Sequence, residues 1–309
     1  MAQTGAIGDK IFRTILLLAS ASILLIVAAI FYMMVQNSMP TLERFGIDFL
    51  TGNEWKPAQE DFGALPFIYG TLVSSLIALV LAVPISLGIA IFLVEQAPQK
   101  IARPIAFMVE LLAAIPSVVY GLWGIFVLAP FIRNYLGVFL QDYLGWLPLF
   151  QGRLTGIGML TAGIILALMI TPIITAVVRD VLEAVPTTQR EAALALGATK
   201  WETTIIVLGN AASGIAGAVV LGLGRAIGET MAVTMVIGNS PQISASLFEP
   251  ANTIASLLAA NFAEATDKIY LSALIEIGLV LFLVTFVVNA LAKLLIMSVG
   301  GNSSSAKHV

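Results

Sequence analysis

Apolar residues run unbroken, or nearly so, through six stretches of the chain: Thr14–Val35, Ile68–Val94, Ile105–Leu128, Gly156–Val178, Ile215–Ile237 and Ile269–Met297. A helix needs about 20 such residues to cross the hydrocarbon core of a bilayer. The pattern therefore predicts an all-α membrane protein with six transmembrane helices. Pro84, Pro116 and Pro172 fall inside the second, third and fourth stretches. Such prolines predict kinks, tolerated where neighbouring groups satisfy the freed carbonyls. The first stretch follows Lys10 and Arg13, exceeds a signal-peptide core in length and lacks an A-x-A-like cleavage site, so it reads as a retained span.

An even number of spans puts both termini on one side. Lys10, Arg13, Lys100, Arg103, Arg179, Arg190, Lys200, Lys293 and Lys307 share that side. They outnumber Arg44, Lys56, Arg133, Arg153 and Lys268 on the other. Basic residues favour the cytoplasmic face, so both termini are expected in the cytoplasm. The chain then divides into a first span with an outer segment (1–66), a five-helix core (67–299) carrying a cytoplasmic loop (179–210), and a polar tail (300–309) expected to be disordered. Tyr135, Tyr143, Trp146 and Phe150 lie in an outer segment, as interfacial anchors or as contacts for an outer partner. Residues 253–263 predict a short helix on or dipping into the interface.

Composition narrows the function classes. The chain is 59% hydrophobic and 11% charged, against about a quarter charged in soluble domains. Its main partner is membrane lipid. A net charge of -3 argues against nucleic acid, which selects basic surfaces. There is no cysteine, and the one histidine is His308 in the tail. No metal site and no catalytic group is expected. No G-x-x-x-x-G-K-[ST] phosphate loop occurs, so any ATP, with its magnesium, would be used by another polypeptide, leaving this chain without a cofactor.

Two polar features interrupt the apolar pattern. The first is TTQREAALALGATKWET, residues 187–203. Thr188 and Glu191 are spaced as a capping box, as are Thr199 and Glu202. Gly197 suits the left-handed turn that closes a helix. The segment predicts helix, glycine turn, helix, with Trp201, Thr204, Ile205 and Leu208 on one stripe. Short helices need something to pack on. The apolar surface of Ala192, Ala193, Leu194 and Leu196 either folds back on the chain's own spans or docks a cytoplasmic partner.

The second is GLGRAIGETMAVTMVIGN, residues 222–239. It places Arg225 and Glu229 inside an apolar span, where a charge costs about 2.5–3.5 kcal/mol on insertion scales. Four residues apart, they can pair across one helical turn. Gly224 and Gly228 form a small-residue step that permits close helix approach. The pair reads either as a structural lock or as a substrate pathway in which the guanidinium receives an oxyanion through paired hydrogen bonds and Glu229 neutralises it between passages. Glu110 and Glu276 also lie in apolar stretches and are read as structural.

Glu191-Ala192-Ala193 followed by Gly197 resembles the EAA loop of the membrane subunits of ATP-binding-cassette importers, where the loop transmits closure of the nucleotide-binding subunit. In that pattern an apolar residue and then Leu-Pro follow. Val207 matches the former, and Gly209-Asn210 stands where Leu-Pro usually stands. The stretches LPFIYGTL from Leu65, AVPISLGIAIFLVE from Ala82, IPSVVYGLWG from Ile115 and GLGRAIGETMAVTMVIGN from Gly222 are similar to the PstC-type permease subunits of bacterial phosphate ABC transporters. The resemblance implies a type I importer permease fold in the bacterial inner membrane. It also implies a second, PstA-like permease subunit, two copies of a PstB-like ATPase and a periplasmic or lipid-anchored PstS-like phosphate-binding protein. Coupling to the ATPase would fall to Glu191, Ala192, Ala193, Leu196, Gly197 and Trp201. A permease for another oxyanion or small solute, and an ion-coupled carrier working alone, are the rival readings.

Overall fold

The computed structural model describes residues 2–304, with side chains for residues 8–294. In chain order the elements are α1 (Ala2–Phe45), α2 (Asp48–Thr51) and a two-stranded antiparallel hairpin of β1 (Trp55–Lys56) and β2 (Asp61–Phe62). Then come α3 (Leu65–Gln96), α4 (Gln99–Ala113), α5 (Ser117–Leu144), α6 (Met159–Glu183), α7 (Thr187–Ala195) and α8 (Lys200–Ile227). The series closes with α9 (Met231–Val236), α10 (Ile254–Asn261) and α11 (Lys268–Ser304). Six of these, α1, α3, α5, α6, α8 and α11, are long and apolar enough to cross a membrane. The remainder of the tail, 305–309, lies outside the described residues.

α6 is the hub. Two thirds (67%) of its most apolar window is buried, against none (0%) of that of α1. It packs along α3 and α8 through Ile165, Ile170, Ile174 and Val178. Gly222 brings α8 close to α6, since a Cβ there would lie 2.7 Å from Ile174. α1 packs on α11, with Phe31 and Phe282 rings 5.5 Å apart and the Thr41 and Ser272 hydroxyls 2.8 Å apart.

A second, aromatic cluster closes the end where α3 and α11 begin. Phe49, Phe62 and Phe67 pack there against Ile254, Leu274 and Ile277. Trp55 meets Phe62 and Phe67 edge-on with centroids 5.0 Å away, and Phe62 stacks on Tyr270 at 5.7 Å. This is called the hairpin end; the opposite end, holding α4 and α7, is the loop end.

The third and fifth spans depart from the apolar pattern. Ile105–Leu128 is not one helix. Pro116 is extended, with ψ 141°, and disfavours helix in the residue before it. α4 therefore stops at Ala113, and the third crossing begins at Ser117. α4 buries none of its residues. Its apolar Ile101, Met108 and Leu112 are exposed, the pattern of a helix lying in a membrane interface. Glu110 lies on this helix and not in a span; its Oε1 accepts a hydrogen bond from Arg179 Nη1 at 2.7 Å. The crossing reaches Leu144 and so absorbs Tyr135 and Tyr143, assigned above to an outer segment. The expected fifth span, Ile215–Ile237, is broken: α8 ends at Ile227, and α9 begins only at Met231. The short helix expected at 253–263 forms as α10, and its Ile254, Ala255 and Leu257 are core residues.

Candidate functional site

The loop end shows how helix, turn and helix arise from local chemistry. Thr199 caps α8: its hydroxyl accepts the Glu202 amide at 3.3 Å, and Glu202 accepts the Thr199 amide at 2.7 Å. The first predicted box, Thr188 with Glu191, is absent. Pro186 flanks α7, and no side chain caps it. Thr188 already lies in the first turn, where its own amide faces along the helix. Gly197 adopts the left-handed conformation, φ 87°. Its amide reaches Leu194 O at 3.0 Å, and the next amide reaches Ala193 O at 3.1 Å, so the last carbonyls of α7 are satisfied.

Only Ala193 of the apolar loop residues turns into the bundle, at 6% exposure. Glu191 and Ala192 are exposed. Leu194 is half exposed, Trp201 more so, and Leu196 is 90% exposed. The predicted stripe of Trp201, Thr204, Ile205 and Leu208 is split. Thr203, Thr204, Val207 and Ala211 face inward, while Trp201 and Ile205 face out. An elbow that leaves such residues open has a surface for something else.

Arg190 fastens this elbow, although no sequence pattern singled it out. Its Nη2 donates to Glu95 Oε1 at 2.8 Å and to Leu182 O at 2.9 Å, and its Nη1 donates to Val185 O at 2.7 Å. One guanidinium thus joins α7 to the final turn of α3 and the end of α6. The ion pair is nearly shielded, with 19% and 10% of the two side chains exposed. Glu95 and Arg190 are 95 residues apart, and only the fold brings them together.

The structure also brings Arg225 and Glu229 together, though not on a continuous helix. Arg225 Nη2 lies 3.0 Å from Glu229 Oε2. Arg225 closes the last turn of α8, and Glu229 stands in the break before α9, where Oε1 accepts the Ala232 amide at 3.3 Å. A cation at a helix C-terminus and an anion at a helix N-terminus are both favoured by the backbone dipoles. The break thus explains a charge order that is unfavourable within one helix. Glu229 is 3% exposed and Arg225 47%. Gly224 and Gly228 are not a packing step within this chain: a Cβ at Gly224 would meet nothing within 4 Å. Gly217 and Leu221, which stack with Arg225 at four-residue steps along α8, are exposed as it is, so the α8 stripe carrying the guanidinium is unobstructed.

Comparison with known proteins bears on what such an arrangement serves. Residues 82–300 match the family model described as the inner membrane component of binding-protein-dependent transport systems. The chain belongs to this family. The permease is 47% identical over 294 residues to the phosphate transport system permease protein PstC of Xylella fastidiosa, covering 94% of this chain and 90% of that one. It is 44% identical over 305 residues to PstC of Mesorhizobium japonicum, covering 97% and 93%. It is 46% identical over 296 residues to PstC of Pasteurella multocida, covering 94% and 92%. Its fold is like that of a chain in the inward-facing MetNI methionine ABC transporter. The TM-score is 0.55 at 18% identity, over 80% of this chain and 99% of that one.

In the permease, Asn210 has a visible task where the wider loop pattern has proline. α8 runs unbroken through Gly209 and Asn210, and Asn210 Nδ2 donates to Gln189 Oε1 at 2.8 Å. The amide ties α8 to α7 across the elbow. Among the described residues, no group of acidic, histidine or cysteine side chains is placed to hold a metal ion.

Proposed function

We propose that this chain is the permease subunit of an ATP-driven importer of inorganic phosphate in a bacterial inner membrane, with both termini in the cytoplasm. It would pair with a second, PstA-like permease, two PstB-like ATPase subunits and a PstS-like phosphate-binding protein. ATP and magnesium act on the ATPase. Relatives sharing 44–47% of residues over nearly the whole chain carry the name of a phosphate permease. The observation that carries the mechanism is the Arg225 guanidinium, half open at a helix break and partnered only by Glu229 among the described residues.

An exposed guanidinium on a spanning helix is stable only beside water, a polar partner or an anion. The open α8 face then belongs to the pathway, toward the second permease. Phosphate released from the binding protein would reach Arg225 and accept two parallel hydrogen bonds from it. Glu229, fixed by the Ala232 amide, would neutralise the guanidinium once phosphate has left. Broken helices near the bilayer midplane are a common way to build such a site. ATP-driven closure would push on Leu194, Leu196 and Trp201. Through Arg190, that push would reach α3 and α6 together and swing the spans between inward- and outward-facing states.

The test is reconstitution of the chain with its co-encoded subunits. Phosphate-loaded binding protein is expected to stimulate ATP hydrolysis and phosphate uptake, while sulfate- or molybdate-exposed binding protein does neither. Arg225→Ala is expected to stop uptake in a complex that still assembles. Dissociation of that complex would make the pair a structural lock. Anion accumulation by the lone chain in ATPase-free liposomes would overturn the reading altogether.

A further inference from the structure

A pocket of about 460 Å³ opens at the loop end, where the chain leaves α3 and enters α4, with α6 behind it. The turn is built by the backbone: the Ala97 amide reaches back to Phe92 O at 2.8 Å, and Pro98 is extended, with ψ 146°. Leu93 and Val94 of the last turn of α3 give the pocket an apolar wall. Gln99 and Arg103 of α4 and Arg179 of α6 give it a polar one. Gln99 and Arg103 share one stripe of α4, a helical turn apart. The opposite stripe carries Ile101, Met108 and Leu112, all exposed.

The two guanidinium groups are not in the same state. Arg179 is 22% exposed and held by Glu110 at 2.7 Å, Asp180 at 3.1 Å and Glu183 at 3.9 Å. Its charge is balanced, and Glu183, the acid that lines the pocket, is turned toward it. Arg103 is exposed and belongs to none of the ion pairs among the described residues. The charge left open in the pocket is therefore a single guanidinium. A helix with one apolar and one polar stripe, joined to a spanning helix, rests at the depth of the lipid headgroups. A basic pocket at that depth on a cytoplasmic face suits a headgroup. An acyl chain can leave it along the apolar end of α3.

We propose that this pocket holds the phosphate group of one membrane phospholipid, bound by Arg103. A planar guanidinium gives two oxygens of a phosphodiester parallel hydrogen bonds, and the glycerol end rests on Leu93 and Val94. Inorganic phosphate offers the same oxygens but nothing to cover the apolar wall. The bound lipid braces the last turn of α3, whose Glu95 holds the elbow through Arg190. The proposal does not depend on which solute the permease carries.

Native mass spectrometry of the full chain with its partner subunits, released from nanodiscs of defined lipid, tests this. Phosphatidylglycerol and phosphatidylethanolamine are each expected to be retained, at one copy per chain, about tenfold better than glucosyl diacylglycerol, which has no phosphate; this is the factor for one charged hydrogen bond. Arg103→Gln should bring both phospholipids down to the level of the glycolipid in a complex that still assembles. Ala106→Trp, which fills the pocket from α4, should remove that copy whichever lipid is supplied. Equal retention of the glycolipid, or a preference that survives Arg103→Gln, would overturn the assignment. So would displacement of the lipid by inorganic phosphate, which would give the pocket to the free ion.

Discussion

At the scale of residues, the proposed mechanism rests on two arginines, and only one announced itself in the sequence. Arg225 stands out because a cation in an apolar run costs energy. Arg190 lies in a polar loop, where charged residues are unremarkable. Its importance comes from Glu95, Leu182 and Val185, which it holds together through three partners in a shielded place. Removing one partner of a buried, hydrogen-bonded pair costs about 3 kcal/mol. Arg190→Ala is expected to lower the melting temperature of the purified chain in detergent. Arg190→Lys should recover only part, because an ammonium cannot span three acceptors as a planar fork does. Glu229→Gln keeps an acceptor for the Ala232 amide but leaves Arg225 without its counter-charge. Phosphate uptake is expected to fall while the complex still assembles, read by uptake and co-purification from one preparation.

At the scale of elements, helix ends shape both candidate sites. α7 ends at Gly197 because a left-handed residue lets its last carbonyls find amides. Gly197→Ala should cost about 1 kcal/mol, the penalty for a side chain in that conformation, and Gly197→Pro should uncouple uptake from ATP. Leu196→Asp makes a sharper distinction. Leu196 is 90% exposed, so the variant should melt like the parent yet fail to take up phosphate or hold the ATPase. A lowered melting temperature would mean that the leucine packs within its own chain. The glycines of α8 also separate by face. Gly222→Leu drives a side chain into Ile174 and is expected to destabilise the chain by about 1–3 kcal/mol, as overpacked cores do. Gly224→Ala faces open space and should leave the isolated chain's melting unchanged, its effect appearing only in the assembled complex.

At the scale of the whole molecule, the absence of cysteine from the chain makes its orientation directly measurable. Cysteines placed singly at Ala192 and Asp61 should react with an impermeant maleimide from opposite sides of the membrane, Ala192 from the cytoplasm. Labelling of both from one side would sink the six-span topology. The sequence by itself determined the number of membrane helices, the two-helix elbow with its glycine turn, and the segment holding the charged pair. Each of these follows from local rules: the apolar length needed to cross lipid, caps and left-handed turns, and the cost of a charge among apolar residues. The sequence pattern misplaced the third span, because Ile105–Leu128 is apolar but for Glu110 and Ser117, and its break at Pro116 separates α4 from the crossing helix α5. It also drew the fifth span through Gly228, where the helix breaks and Glu229 takes Arg225 of α8 and the Ala232 amide of α9 as its partners. Tertiary structure alone decided that Arg190 meets Glu95, that Gly222 rather than Gly224 touches a neighbouring helix, and that Glu276 is buried beside Thr41 of α1. Such contacts depend on which faces of distant helices are brought together, and hydrophobicity fixes that a helix is buried far more tightly than it fixes against what.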